Sequence, residues 1–297
     1  MSEPLCRLLR FEATDGVALS GLLYEPRRAT KRALIWLHGN GGASVFDTDR
    51  TNILANEFVA AGFAFFPFNN RGAHLIRTIR RRRRRIGGGT AHEVIRDCVP
   101  DIDGAVRELR RRGYRELHLI GHSSGANKVV VYDHRKPRNR IRSYVLLAGG
   151  DDTGLLYAAL GARRFEAALA KGRQMIRDRR GNEIVPPRLS PMMMSWRSFV
   201  DMANPDGDYN VFPFFAAMRG IRLGRRKPFA WVSAIRKPSL YLYGERDEFA
   251  FNDAPRCAAI LAEHVGANAE IAVIAEADHG FGRFESELAQ TILGWLP

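Results

Sequence analysis

At 297 residues, 45% of them hydrophobic and 26% charged, the chain has the composition of a soluble globular protein. That length suits one α/β domain carrying an insertion, able to bury roughly 75% of its unfolded surface. No apolar run approaches the roughly 18–20 residues of a membrane helix, the first residues lack the apolar stretch of a secretory signal, and Cys6, Cys98 and Cys257 are too few and too scattered for a disulfide framework. They are expected to be reduced thiols in a cytoplasm, and they show no metal-ligand spacing.

Taken in order, Leu8 to Ala13 and Val17 to Tyr24 read as two strands joined at Asp15-Gly16, a pair that favours a hairpin. Ala33 to Leu37 is a continuous apolar run, as in a strand buried on both faces, and it stops at His38-Gly39-Asn40-Gly41-Gly42. Helical spacing follows over Ile53 to Ala61, then an apolar strand over Gly62 to Pro67 that leads into Asn69-Asn70-Arg71-Gly72.

The formal charge of +14 is concentrated just beyond. All but six of the 46 basic residues are arginine, a skew that codon bias in a GC-rich genome explains as readily as selection for a polyanion. The densest run, Arg80 to Arg85, has Arg77 upstream and Ile86-Gly87-Gly88-Gly89 behind it. It reads as a mobile, solvated loop, with attraction of an anionic substrate or surface as the alternative. Nucleic-acid binding is not expected, because no stacking aromatics are interleaved with the arginines.

Val99 to Leu109 has helical periodicity. Next come an apolar strand over Leu117 to Ile120, the turn Gly121-His122-Ser123-Ser124-Gly125, and a helix carrying Ala126, Val129, Val130 and Tyr132. Ser143 to Ala148 is a further strand, closed by Gly149-Gly150-Asp151-Asp152. From 151 to 227 the strand–helix alternation lapses into helical segments such as Leu155 to Ala170. Strands return at Ser239 to Tyr243 and Ile271 to Ile274, and a last helix spans Glu285 to Trp295. The expected architecture is a doubly wound, mostly parallel sheet built from residues 1–150 and 228–297, with 151–227 inserted as a helical lid over the strand ends.

The turn at Ser123 carries the chemistry. Strand, tight G-x-S-x-G turn and helix together make a nucleophile elbow, which exposes a serine hydroxyl beside the amides of a helix start. A serine needs a base to take its proton, and the base needs a carboxylate to orient it. Both are present after the sheet pattern resumes: Asp247 follows the strand ending at Tyr243, and His279 follows the one ending at Ile274. Glu245, Glu248 and the Asp151-Asp152 pair compete for the acid role, and Ser124 is a weaker rival nucleophile. Asp278 reads as structural and His122 as a supporting residue.

His38-Gly39-Asn40-Gly41, Gly121 to Gly125, Gly244 to Asp247 and Asp278-His279-Gly280 together resemble the α/β-hydrolase family over nearly the whole chain outside the insertion. The resemblance implies Ser123 as nucleophile, His279 as base and then acid, and Asp247 as the residue that orients it. It also implies an oxyanion hole from the amide of Asn40 or Gly41 and that of Ser124. A narrower likeness, through Asn69 to Gly72, Gly121 to Tyr132, Trp196-Arg197-Ser198 and Asp247-Glu248-Phe249, is to a group of intracellular esterases that includes fungal enzymes hydrolysing siderophore esters. Asp206 to Tyr209 echoes that group's acidic lid segment only loosely. The expected activity is hydrolysis of a carboxylic ester of a small organic molecule through an acyl-enzyme, with no metal or organic cofactor. An acyltransferase, thioesterase or peptidase could use the same triad, and a small-molecule receptor the same fold. Within the insertion, Trp196 and Phe212 are the residues expected to line the substrate pocket, against the competing reading that its Met and aromatic side chains form a small core.

Overall fold

The computed structural model describes residues 4–41, 43–46 and 49–296. β1 (Leu5–Glu12), β2 (Ala18–Glu25) and β3 (Arg32–Leu37) are followed by α1 (Arg50–Ala60) and β4 (Ala64–Asn69). A small hairpin of β5 (Arg77–Arg81) and β6 (Arg84–Gly88) precedes α2 (Cys98–Arg111), β7 (Glu116–His122), α3 (Ser124–Arg135) and β8 (Ser143–Leu147). The insertion supplies α4 (Asp152–Leu160), α5 (Ala162–Arg177), α6 (Trp196–Ala203) and α7 (Phe214–Arg219). After α8 (Ala230–Ser233) come β9 (Ser239–Gly244), α9 (Ala254–Ala262), β10 (Ala269–Ile274) and α10 (Glu285–Trp295).

Eight strands form one sheet in the order β1-β2-β4-β3-β7-β8-β9-β10. β1–β2 and β2–β4 pair antiparallel, and every other neighbour pair is parallel. The sequence explains where each strand sits. β3, β4, β7, β8 and β9 are the near-continuous apolar runs and are buried along almost their whole length. At the edge, β1 alternates buried Leu9 and Phe11 with exposed Arg10 and Glu12.

Helices cover both faces. Leu54 and Phe58 of α1 and Leu288 and Ile292 of α10 pack on one side, with Leu34, Phe65 and Val145 from the sheet. Ile102 of α2, Val130 of α3 and Leu261 of α9 pack on the other, and the apolar side chains of α5 and α6 run into that same cluster. Residues 151–227 lie between β8 and β9 in the chain, and Phe212 among them packs against Gly149 after β8 and Tyr241 of β9.

Two expectations need correction. The arginine run is strand, not loop: Arg80 pairs with Arg85 and Arg81 with Arg84 in β5–β6. It forms because Ile79 faces Ile86 across the pair and Ile79 is buried, so each arginine sequence carries one apolar anchor. The helix over Leu155 to Ala170 is two helices, broken where Gly161 takes φ +70°. Trp196 and Phe212, the residues expected at the substrate pocket, are buried. Trp196 packs edge-on against Phe199, and Phe212 stacks on Phe214 and meets Tyr241 of β9.

Candidate active site

The elbow is shaped by sterics. Ser123 sits at φ 58°, ψ −129°, a region that costs a non-glycine residue on the order of 1–3 kcal/mol and persists only where its surroundings enforce it. Here its amide is held by the Leu147 carbonyl at 2.9 Å and its carbonyl accepts from Ala126 at 2.8 Å. The turn closes so tightly that a Cβ on Gly121 would lie 2.2 Å from the Gly125 carbonyl oxygen, and one on Gly125 2.4 Å from that of Leu37. The loop after β3 reaches in from the other side, where a Cβ on Gly39 would stand 3.1 Å from Ser123 Oγ. Ser123 is therefore framed by the α3 start and by the His38 to Gly41 loop.

Among the rival acids, one meets the histidine. Asp247 Oδ1 lies 2.8 Å from His279 Nδ1, with Asp247 buried and also accepting the amides of Phe249 at 2.9 Å and Ala250 at 3.2 Å. Those amides fix the carboxylate so that it presents one oxygen to the ring. The competitors are occupied elsewhere. Asp151 caps α4 through the Gly154 amide and also accepts from Phe215, and burial pushes its carboxyl up to about 7. Glu245 accepts the Glu276 amide, Glu248 the His279 amide at 3.3 Å, and Asp278 the Gly282 amide. Asp152 stays close to the site, beside the Tyr209 hydroxyl and His279, and burial raises its carboxyl.

His122 and Arg50 hold the loop that carries His279. His122 Nε2 donates to the His279 carbonyl at 2.7 Å, and Arg50 Nη1 donates to that of Gly280 at 2.8 Å. The His122 ring also stacks on Trp36. Burial, with the Arg50 charge adding to it, drives the His122 imidazole well below its ordinary value, so it stays neutral. Phe249 leans on the His279 ring with centroids 4.6 Å apart and is half exposed, giving the base one apolar wall.

In the loop after β3, Asn40 Nδ2 donates to the Tyr209 hydroxyl, which also lies next to Ser124 and Asp152. Gly41 takes φ +80° and is exposed at the loop tip. Ser124 opens α3 with its hydroxyl buried, which leaves Ser123 as the serine facing out of the turn. Below them, Lys128 of α3 pairs with Glu93 at 2.8 Å, both buried. Burial and the Lys128 charge lower His38 to about 3, so its neutral ring donates through Nδ1 to the Gly39 carbonyl at 2.8 Å. Asn127 ties the loop after β8 to α3 by bonding both the amide and the carbonyl of Gly150.

Tyr209 is the functional candidate that the sequence reading passed over. Asp206 to Tyr209 stood out as a segment, yet nothing local links Tyr209 to Asn40, 169 residues away. Its neighbour Asp208 pairs with Arg96 and Arg135, clamping the segment against the short turn Ile95–Asp97 before α2 and the end of α3. Asn69 and Arg71, singled out with the esterase likeness, brace the fold: Asn69 accepts the Val45 amide, and Arg71 bonds Asp101 and Asp15. No group of residues with metal-ligand geometry is found among the described residues.

A family model described as serine aminopeptidase, S33, matches residues 28–287. Among solved structures, Est1E from Butyrivibrio proteoclasticus with ferulic acid bound superposes with a TM-score of 0.63 at 13% identity, covering 96% of each chain. The Pyrococcus furiosus esterase Pf2001 gives 0.58 at 18% identity, over 99% of this chain and 91% of that one. The carboxylesterase CesB from Bacillus subtilis gives 0.53 at 16%, over 98% of this chain and 91% of that one. No curated protein matches. At such identities these neighbours carry the fold, while the family match spans most of the chain and contains the elbow, the acid and the histidine. The chain belongs to the serine aminopeptidase S33 family of α/β-hydrolases and is a serine hydrolase by family.

Proposed function

We propose that the protein hydrolyses a carboxylic ester of a small organic molecule through an acyl-enzyme on Ser123. The observation that carries this is the 2.8 Å contact between Asp247 and His279, held by the His122 bond beside a left-handed Ser123. In this reading His279 Nε2 takes the Ser123 proton as Oγ attacks the acyl carbon, while Nδ1–H stays bonded to Asp247. The negative charge that develops on the carbonyl oxygen meets the amides of Ser124 and of the Asn40–Gly41 loop, the former at a helix N-terminus. His279 then gives its proton to the departing alcohol. A water, deprotonated by the same imidazole, releases the acid and restores Ser123.

Ester over amide is supported by the neighbours, since Est1E, Pf2001 and CesB carry esterase or carboxylesterase names or a ferulic acid ligand. The family description favours a second reading, cleavage of a peptide N-terminus. Asp152, a raised carboxylate beside His279, is the group placed to meet a substrate ammonium in that case.

A panel of p-nitrophenyl esters, thioesters and aminoacyl anilides, assayed with wild type and Ser123→Ala, separates these readings. Turnover of esters well above anilides is expected, with at most about a thousand-fold residual over water in the alanine variant. A fluorophosphonate should label Ser123. Labelling at Ser124, or full activity without the Ser123 hydroxyl, would remove the acyl-enzyme from that residue; anilides outrunning esters would favour the peptidase.

A further inference from the structure

Nothing in the triad chemistry uses the β5–β6 hairpin, and the hairpin conflicts with its own electrostatics. Arg80 stands directly opposite Arg85, and Arg81 opposite Arg84, with Arg82 and Arg83 closing the turn. Like charges facing across a strand pair are destabilising. Of these six only Arg81 has a carboxylate partner, Asp15 at 3.3 Å; among the described residues Arg80 and Arg82 to Arg85 form no ion pair, and all are exposed.

The array is also held in place. The Arg82 amide donates to the Gly16 carbonyl at 2.8 Å, latching the hairpin tip to the β1–β2 turn, and Val17 bridges Arg81. A groove beside it on the sheet edge is lined by Arg10 and Arg80 together with Glu12. At the other end the hairpin is rooted in the active site. His74 donates to the Ala43 carbonyl at 3.1 Å, and that loop is the one whose Gly39 abuts Ser123. Next to this root two large apolar side chains face solvent, Leu75 at 43% and Ile76 at 51% exposure.

We propose that the hairpin docks the protein on an anionic phospholipid bilayer, with the arginines on headgroup phosphates and Leu75 and Ile76 at the acyl boundary. Guanidinium groups pair with phosphate oxygens in a bidentate fork, so lipid phosphates relieve the repulsion between the cross-strand pairs. A combination of basic and exposed aliphatic residues suits a membrane interface. Nucleic acid would instead call for aromatic platforms, and the hairpin has none. Docked this way, Ala43, which accepts the His74 amide, lies near the bilayer, so an ester held in or at that surface reaches Ser123 over a short path. The binding itself does not depend on which bond the triad cleaves.

Flotation with phosphatidylcholine vesicles, with and without phosphatidylglycerol, tests this on the full-length protein. Wild type should float with the anionic vesicles only, and less so in high salt. Each arginine near such a surface contributes roughly fivefold, so the combined variant Arg82→Gln, Arg83→Gln, Arg84→Gln and Arg85→Gln should bind roughly a hundred-fold to a thousand-fold more weakly. That variant should label with fluorophosphonate as wild type does and keep or raise its Tm, because the repulsion is gone. Changing Leu75→Ser together with Ile76→Ser should weaken vesicle binding while leaving retention on heparin intact. The proposal fails if wild type ignores anionic vesicles, or if the glutamine variant floats equally well. It also fails if single-stranded DNA is bound tightly and vesicles are not, or if the variant's Tm drops, which would assign the arginines to the fold.

Discussion

His122 and His279 are joined by a hydrogen bond from the Nε2–H of one to the backbone carbonyl of the other, 2.7 Å long and 157 residues apart in sequence. The residue preceding Ser123 thus sets the position of the loop that carries His279. Replacing it by His122→Phe keeps a ring against Trp36 and removes only the donor. We expect kcat to fall about tenfold with KM nearly unchanged, since misplacing a base by a fraction of an ångström acts on the reaction step. Because His122 is held neutral, its donation does not titrate, and the acid limb of kcat should follow one proton in wild type. A two-proton limb would show that His122 titrates with the base.

Asp247 is separated from its rivals by one exchange. Asp247→Asn should lower kcat by about 10⁴, because the neutral amide no longer stabilises an imidazolium and its NH2 group can face Nδ1, which selects the wrong tautomer. Glu245→Gln, which disturbs only the Glu276 amide, should stay within a few-fold of wild type. A severe loss in Asp152→Asn with a mild one in Asp247→Asn would move the acid to the end of β8.

Tyr209→Phe probes the link between the insertion and the oxyanion loop. The substitution leaves the ring packed and deletes the hydroxyl that accepts from Asn40. Losing an oxyanion donor outright costs about 10²–10³ in kcat. Losing a group that only positions the loop should cost about tenfold, with fluorophosphonate labelling slowed and Tm changed little. A variant with unaltered kcat would make Tyr209 a packing residue.

Asp201 gives the pH dependence a sign. It accepts the Ile95 amide at 2.7 Å, and burial first, then the carboxylates of Asp208, Glu93 and Asp97, push it up to about 7. Its folded value is raised, so between about pH 4 and 7 the folded state holds more protons than the unfolded one. Stability therefore falls as pH rises through that window. Asp201→Asn keeps an acceptor oxygen and removes the titration. At pH 8 it should be more stable than wild type by on the order of 2 kcal/mol, with the gain absent near pH 4. Chemical denaturation at the two pH values measures it; an equal effect at both would discount the titration.

Phe212 is fully buried against Tyr241 and Phe214 and over Gly149, so Phe212→Ala should cost about 3–5 kcal/mol and lower Tm. Activity should fall equally across ester chain lengths. A change in chain-length preference at constant Tm would instead return Phe212 to the pocket wall.

Much of this was legible in the chain. Apolar runs bounded by glycine marked β3, β7 and β9, because a strand covered on both faces must be apolar at every position. Gly121 and Gly125 flagged the elbow because no side chain fits where they stand, and the order of Ser123, Asp247 and His279 followed from successive strand ends. What the sequence could not decide was partnership over long separations. Asp247 had four rivals, and the structure ties Asp151 to the Gly154 amide, Glu245 to the Glu276 amide and Glu248 to the His279 amide, while Asp247 faces the His279 ring. Tyr209 meets Asn40 across 169 residues, and the burial of Trp196 and Phe212 depends on which helices pack over them. The arginine run was legible as charge, but its pairing rested on Ile79 and Ile86 meeting across a turn. Local pattern determines which elements form, since backbone sterics and periodicity are short-range; which side chains meet is decided by packing, which is not.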